Sequence, residues 1–410
     1  MRLPPELWLK IFSDVAYIPG ALTHEDDHAI ASFAKDNFGI CLHRRFRETM
    51  DAKLAISSVC RAWNSLVTKF LFQYLLVKSG AQAVLTASAL ERRQGCSQYS
   101  CDGPGRWTIR LELALEGVHI WRKEHTHALI RIFCHCPNLT VFSNAFCTTD
   151  AYFLFMSGIM DTLSAVVSRS TLRRLELKGT FPMLETVVAN VAPSLEVLWL
   201  IPPPKAMLPS QQDVQKLHFP KLRVLVFSFP FRMDTLVMPW ETPSLNTLIA
   251  EDLYQDMPCS LRYFLHANGK KLQYLAMNWF DSLVQLCPEL QEWVIPYNAL
   301  SRLSPDDLHP SIRCLTLAGN FVDAGSHLPA IGFHLATGSF ASLEVMRFLL
   351  PPRNSHAICT ESQARSWRET CEQVLAVCQR RGIRVDVSMG VDNQSADIWE
   401  PLTIELLSAD

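Results

Sequence analysis

The sequence predicts an α/β protein in which an all-helical amino-terminal module is followed by a repeat array of parallel strands and helices. Apolar residues recur every three or four positions in stretches of the first 72 residues, as they do on the buried side of helices. From residue 139 onward, a short apolar motif returns at intervals of 18 to 33 residues. Intervals of this size are typical of proteins that stack one small structural unit per repeat.

The composition favours a folded protein that binds neither nucleic acid nor membrane. Hydrophobic residues make up 49% and charged residues 19% of the 410 residues, which is too apolar for general disorder. A formal net charge of −2 offers no basic field for a nucleic acid. The 13 cysteines form no Cys-x-x-Cys pair, and no uncharged apolar run is long enough to span a bilayer. We therefore expect a cytoplasmic or nuclear location.

Two helices are predicted in the amino-terminal module. The first begins at Pro4-Pro5-Glu6, because proline is tolerated in the first turn and an acidic side chain is favoured at the positive end of the helix dipole. The second is predicted over residues 51–72. The apolar residues that recur along one side are Leu7, Ile11 and Val15 in the first helix, and Val59, Trp63, Leu66 and Val67 in the second.

These segments resemble the two halves of an F-box, and the chain as a whole resembles the F-box-like proteins of mushroom-forming fungi. The first half is Leu3-Pro4-Pro5-Glu6-Leu7 with Ile11-Phe12, and the second is Ser58-Val59-Cys60-Arg61-Ala62-Trp63. F-boxes dock on the Skp adaptor of cullin-RING ubiquitin ligases, so the resemblance implies an adaptor-binding surface. The residues that it places in or beneath this surface are Leu3, Pro4, Ile11, Val59, Cys60 and Trp63.

A long insert separates the two halves. Residues 17–50 replace the short link of the family, and we expect them to project outward between the two helices, as surface loops do. The module is then assigned to residues 1–78. Residues 79–106 are assigned to a connection, whose part 94–105 is rich in glycine and serine.

The repeated motif is Leu-x-x-Leu-x-Leu, with conservative replacements. It begins at Leu139, Leu172, Leu195, Leu222, Leu245, Leu272, Leu290, Ile312 and Leu343. Proline stands two residues before six of these nine starts, whereas 24 prolines in 410 residues would give about half of one by chance. Since proline ends a helix and favours extended backbone, it marks a helix-to-strand turn. The motif is that of an irregular leucine-rich-repeat solenoid, assigned to residues 107–390, with an acidic tail at 391–410.

The predicted strands also suggest where a target protein would bind. Side chains of a strand alternate between two faces, so the residues between the motif leucines are expected on an inner, exposed face. An apolar patch on such a face is typical of a protein interface. The predicted target-binding residues are Trp199, Ile201, Val224, Val226 and Ile249.

One string suggests metal chemistry, and it has a competing interpretation. His24-Glu25-Asp26-Asp27-His28 has the spacing of the zinc-protease motif His-Glu-x-x-His. Thr23 can instead cap a helix whose first turn carries these acidic residues. A cluster of His and Cys residues between 119 and 147 lacks the spacing of a tetrahedral site. We predict no catalytic residue, no metal site and no cofactor.

The function expected from these features is that of a non-catalytic adaptor. It would be the substrate-recognition subunit of an SCF-type ubiquitin ligase, binding the Skp adaptor through its amino terminus and a target protein, whose identity stays open, through its repeats. The alternative is a free-standing repeat scaffold without ligase association. A third hypothesis, a zinc metallohydrolase at His24 and His28, has the least support.

Overall fold

Helices and parallel strands alternate along the chain. The computed structural model describes residues 3–25, 40–92, 103–115, 121–147, 171–178, 187–201, 216–227, 240–250, 259–277, 283–296, 309–318, 329, 331–338, 340–350 and 372–389. The chain forms two compact units, Met1–Leu245 and Asn246–Asp410.

Most of the described helices lie in the first unit. The α-helices are α1 Pro5–Ala16, α2 Ile40–Val59, α3 Arg61–Phe72, α4 Gly80–Arg92, α5 Lys123–His135, α6 Cys259–Asn268 and α7 Leu283–Leu286. Residues 187–191, 331–336 and 372–380 are also helical, and short 3₁₀ helices form at Pro104–Trp107 and Gly269–Lys271. Among the described residues, no helix is both long and apolar enough to cross a membrane.

Each unit contributes six strands, which follow one another in chain order. In the first unit they are β1 Tyr74–Val77, β2 Arg110–Leu113, β3 Val141–Ser143, β4 Arg174–Lys178, β5 Val197–Ile201 and β6 Val224–Phe227. In the second they are β7 Thr247–Ala250, β8 Tyr274–Ala276, β9 Glu292–Pro296, β10 Cys314–Ala318, β11 Val345–Leu350 and β12 Arg384–Met389. Within each unit, neighbouring strands pair in parallel. The predicted α/β class with parallel strands is therefore confirmed.

The repeated motif marks the strands. Each of the nine motif starts lies two residues before a strand, from Leu139 before β3 to Leu343 before β11. The leucines at the second and third motif positions are buried, for example Leu175 and Leu177 in β4. The spacing of apolar residues between the motifs also predicts helical positions at 187–191, a helix ending at Gly269 and a strand at 383–387. The structure matches all three.

A recurring turn explains why proline precedes the motif. Pro137 follows Cys136, whose carbonyl accepts a hydrogen bond from the amide of Leu139 at 3.2 Å. Proline therefore occupies the second position of a four-residue turn, where its fixed φ is favoured. The hydroxyl groups of residues next to the motif leucine add a bond to the preceding repeat: that of Ser194 donates to the carbonyl of Leu172 at 3.0 Å. Thr171, Ser244 and Ser311 do the same.

Two features differ from the predicted organisation. The sheet begins at Tyr74 in β1, which pairs with β2, before the solenoid assigned from residue 107, and α4 lies within the predicted connection. The single helix expected over residues 51–72 is two helices. They separate at Cys60, whose backbone is extended and whose sulfur accepts a hydrogen bond from the amide of Trp63 at 3.4 Å. The sequence does not reveal β1, because its four apolar residues follow α3 almost directly and so short an apolar run cannot be distinguished from the last turn of a helix.

Some predictions fall outside the described residues. Two of them are the remainder of the helix expected after Thr23 and the acidic tail. The apolar spacing also predicts helical patterns at 159–167 and at 184, a capped helix start at 304–307 and a final helix over 361–381, and all of these except residues 372–381 lie outside the described ranges.

Helices α1, α2 and α3 share a small apolar core. Phe12 and Ala16 of α1 are buried together with Val67 and Phe70 of α3. Trp8 and Trp63 close this core, with ring centroids 4.4 Å apart. Burial of both aromatic and aliphatic groups is what holds such short helices in place, since isolated helices of 12 residues are marginal in water.

Lys53 of α2 is the basis of a first prediction. It is 2% exposed, and burial lowers its pKa to about 8 from 10.5. Since the folded state disfavours the charged form, the lysine destabilises the protein at neutral pH, and this cost disappears as the pH rises from 8 to 10.5. We expect Lys53→Met to raise the free energy of unfolding at pH 7 by about 3 kcal/mol. Denaturant titration across this pH range measures the difference.

The exposed Lys10 of α1 provides the control for this change. Lys10→Met should alter the free energy of unfolding by less than about 0.5 kcal/mol at any of these pH values. A gain at Lys53 that stays constant up to pH 10.5 would contradict the assignment to a buried charge.

Candidate functional site

Charged side chains line one face of the first strands. Alternation places Arg110 and Glu112 of β2 on the same face, and the parallel register brings this face of β2 together with Arg174 and Glu176 of β4. We call this side of the first unit the inner face; it continues through Val197 and Trp199 of β5 and Val224 and Val226 of β6.

Arg110 is the centre of a buried ion-pair network. Its guanidinium group contacts the carboxylate of Glu112 at 2.8 Å and that of Glu176 at 2.7 and 2.8 Å. A nitrogen of Arg174 lies 2.7 Å from the carboxylate of Glu176. All four side chains are 0–1% exposed. The two positive and two negative charges balance, which is the condition for burying ions at tolerable cost.

Two further groups extend the network at Glu112. The imidazole of His43, on α2, lies 2.6 Å from this carboxylate, and the Tyr74 hydroxyl donates to it. Burial, followed by the charge of Glu112, raises the pKa of Tyr74 well above its usual value, so the phenol stays protonated. The network thus joins α2 to β1, β2 and β4.

The carboxylates remain ionised at neutral pH. Burial by itself would raise the pKa of Glu176, but the charges of Arg110 and Arg174 outweigh it and lower this pKa to about 2. Burial would likewise raise the pKa of Glu112, and the charge of Arg110 lowers it. Burial lowers the pKa of Arg174 to about 10, which leaves the guanidinium charged at pH 7.

Residues 18–25, which we call the crossing segment, lie over this face. Arg110 donates to the carbonyl of Ala21 at 3.3 Å, and Arg174 donates to the carbonyls of Gly20 and of Thr23, the latter at 3.1 Å. Arg223, directly before β6, donates to the carbonyls of His24 at 2.5 Å and Glu25 at 3.3 Å. The segment therefore passes from β2 and β4 toward β6.

The outward projection expected for residues 17–50 is therefore wrong for the part that the structure describes. Ile18 and Ala21 are 1% and 0% exposed, and Phe46 of α2 packs on Tyr74 with ring centroids 4.6 Å apart. Gly20 has a φ of 70°, which other residues rarely adopt, and this turn directs its carbonyl toward Arg174. The buried arginines supply donors to the carbonyls of the buried residues Gly20 and Ala21.

The predicted target patch is not exposed. Trp199, Val224, Val226 and Ile249 expose 0–3% of their surface, and Ile201 is half-buried. Strand alternation correctly places these residues on one face of the strands, but that face is covered and not exposed. The ring of Phe146 lies against Trp199 at 6.1 Å and also against His43 at 5.4 Å. The four buried residues are core residues of the units in which they lie.

An exposed apolar stripe runs along α1. Leu3, Leu7, Ile11 and Val15 follow one another at intervals of four residues, and each exposes between 38% and 47% of its surface. This docking stripe lies opposite the buried Phe12 and Ala16. Four neighbouring apolar side chains left in water, three on one short helix and one directly before it, are unusual, whereas isolated ones are not.

The residues implied by the F-box resemblance divide into exposed and supporting ones. Leu3, Pro4 and Ile11 lie exposed on and before α1. Val59, at the end of α2, is 60% exposed, and Leu54 of the same helix is 52% exposed. Cys60 is exposed and caps α3, whereas Trp63 is half-buried beneath α1. Leu54 lies outside both F-box-like halves, so the sequence did not indicate that this apolar side chain is exposed beside them.

The metal hypothesis rests on two histidines of which one is described. The imidazole of His24 lies 3.4 Å from the guanidinium group of Arg173, and burial lowers its pKa against the opposing effect of the Glu196 charge. His28 lies outside the described residues. A cation beside two arginine side chains, Arg173 and Arg223, would meet like charge.

The sequence contains a repeated string that indicates the ion-pair network, but it is not visible when each segment is considered by itself. The string Arg-Leu-Glu-Leu occurs twice, at residues 110–113 and 174–177, and both copies are strands of the inner face. No protein-family model matches the chain, and no curated protein shows significant similarity to it.

A substitution at Glu176 tests the network. With a folded pKa of about 2 and an ordinary value of 4.5, this carboxylate stabilises the fold above pH 4.5, and the contribution is lost as the pH falls from 4.5 toward 2. Glu176→Gln should lower the free energy of unfolding by about 3 kcal/mol at pH 7 and flatten its dependence on pH below 4.5. Denaturant titrations at several pH values provide the measurement.

Trp199→Ala tests the corrected position of the indole ring. Removing a buried tryptophan should destabilise the protein by about 3–5 kcal/mol, seen as a large drop in melting temperature. Ile201→Ala, on the same face of β5, is the matched comparison and should cost less because Ile201 is half-buried. Equal, small effects of the two substitutions would return Trp199 to the surface.

Proposed function

We propose that this protein is the substrate-recognition subunit of an SCF-type ubiquitin ligase. Helices α1–α3 dock on the Skp adaptor, and the strand-and-helix repeats, as a leucine-rich-repeat solenoid, bind a target protein. No residue of the chain performs bond chemistry in this function. The assembly raises the effective concentration of the target's lysines beside the charged ubiquitin carrier.

The docking stripe of α1 carries this proposal. An amphipathic helix whose second apolar face remains in water is suited to a groove on a partner. Phe12 and Ala16 already satisfy the module's own core, so the module does not use Leu7 and Ile11 to hold itself together. The stripe also coincides with the first half of the F-box resemblance, and exposed Val59 coincides with the second.

A second candidate is a repeat scaffold without ligase association. The observation that favours it is the contact between the insert and the inner face. His43 and the crossing segment attach the helices to the sheet, so these helices can also serve as the cap that a repeat array requires at its open end. The two candidates differ in whether the adaptor binds.

Co-expression of the full chain with the Skp adaptor tests the proposal. The wild-type protein should elute with the adaptor as one complex in size-exclusion chromatography. Ile11→Asp should weaken the affinity by about 2 kcal/mol or more, because it places a charge in the middle of an apolar interface. Calorimetric titration gives the affinity, and the melting temperature of the free protein should change little because Ile11 is exposed.

Ser13→Asp is the matched control. It adds the same side chain to the exposed surface of α1 without removing an apolar group of the stripe, and it should leave adaptor binding unchanged. If the wild-type protein never associates with the adaptor, the scaffold is the better account. If Ile11→Asp binds as well as wild type, the docking stripe is not the adaptor-binding surface.

A further inference from the structure

The contact between the crossing segment and the inner face has the chemistry of peptide recognition. Three arginines, Arg110, Arg174 and Arg223, donate to five backbone carbonyls of residues 20–25. Backbone carbonyls alone do not select a sequence, so the buried side chains of Ile18 and Ala21 supply the rest of the contact. A guanidinium group has five donors in a fixed plane, which suits it to hold a carboxylate and a carbonyl at once.

The surface beneath the segment can exist without it. Arg110, Arg174, Glu112 and Glu176 pair with one another, and their charges sum to zero. Arg223 pairs with Glu196 at 3.3 Å in the same way. If the segment leaves, water meets these paired ions, and hydrated ions carry little penalty.

The segment is joined to its neighbours in a manner that permits local release. It follows the last turn of α1, after exposed Tyr17, and its backbone pairs with no strand. The described hydrogen bonds of its own amides are local: Ala21 donates to the carbonyl of Ile18 at 3.1 Å and Glu25 to the hydroxyl of Thr23 at 3.1 Å. Its anchors are thus the arginine contacts and the burial of Ile18 and Ala21.

We propose that the inner face over β2, β4 and the start of β6 is a receptor site for an extended peptide, and that residues 18–25 are its intramolecular occupant. A partner protein binds there by presenting an extended segment with successive carbonyls toward Arg110, Arg174 and Arg223. Because Ala21 is 0% exposed, the partner must carry a small side chain at that position. The inference does not depend on adaptor docking, and the two fail in different experiments.

The test uses the full chain with residues 18–25 replaced by eight glycine and serine residues. A fluorescent peptide of residues 17–25, Tyr-Ile-Pro-Gly-Ala-Leu-Thr-His-Glu, is then added. We expect saturable binding to the replaced protein by fluorescence anisotropy. Wild type should bind the peptide at least tenfold more weakly, because its own segment is present at a high effective concentration.

Arginine substitutions in the replaced protein show whether the peptide uses the proposed face. Arg174→Met removes the donor to two carbonyls and should weaken peptide binding at least tenfold. Arg313→Met, an exposed arginine beside β10, is the matched control and should leave binding unchanged. Equal effects of the two changes, or no binding to a replaced protein that is folded by circular dichroism, would overturn the proposal.

Hydrogen exchange of the wild-type protein gives an independent measurement. If the segment opens without unfolding of the sheet, the amide of Ala21 should exchange at least tenfold faster than the strand amide of Val197. Exchange of both amides only through global unfolding would show that the segment is a permanent part of the core. Failure of the replaced protein to fold would have the same meaning, and either result rejects a receptor site.

Discussion

The first unit depends on one arrangement of buried charges, in which Arg110 lies between Glu112 and Glu176. An ion removed from water without compensation costs several kcal/mol, so each member of this set requires the others. The carboxylates come from two strands that are 64 residues apart in sequence, and His43 and the carbonyl of Ala21 come from the insert. The same few atoms therefore fix the register of β2 with its neighbours, the path of the crossing segment and the position of α2.

This constraint changes how the helical module is understood. Val15 belongs to the exposed docking stripe, and Gly20, five residues later, is held by Arg174. While Arg174 holds Gly20, the short chain between Val15 and Gly20 limits how far α1 can turn relative to β4. In the proposed ligase subunit, such stiffness would favour transfer, since the rate of transfer depends on how often a target lysine lies within reach of the ubiquitin carrier. In a free-standing scaffold, the same contact would instead close one end of the repeat array.

Local patterns predicted what local forces determine. The nine motif starts located strands β3 to β11, because leucine spacing and the turn preference of proline both act within a few residues. The same patterns failed where the outcome depends on distant chain. Strand alternation correctly placed Trp199 on the inner face. Its burial, however, involves Phe146, which also contacts His43 of the insert, more than 150 residues away from Trp199 in sequence. The docking stripe was visible as periodicity, and its exposure was not, since periodicity cannot distinguish a face buried in the protein from one left exposed.

The crossing segment explains why β2 and β4 carry the charged sequence Arg-Leu-Glu. Strands of a parallel sheet that is covered on both sides are ordinarily apolar throughout, as β5 and β6 are. A backbone that crosses such a sheet, however, brings carbonyls that need donors where water is absent. Arg110 and Arg174 provide the donors, and because a buried guanidinium needs a counter-charge, Glu112 and Glu176 must accompany them. The motif in β2 and β4 is therefore the chemical counterpart of the segment above it.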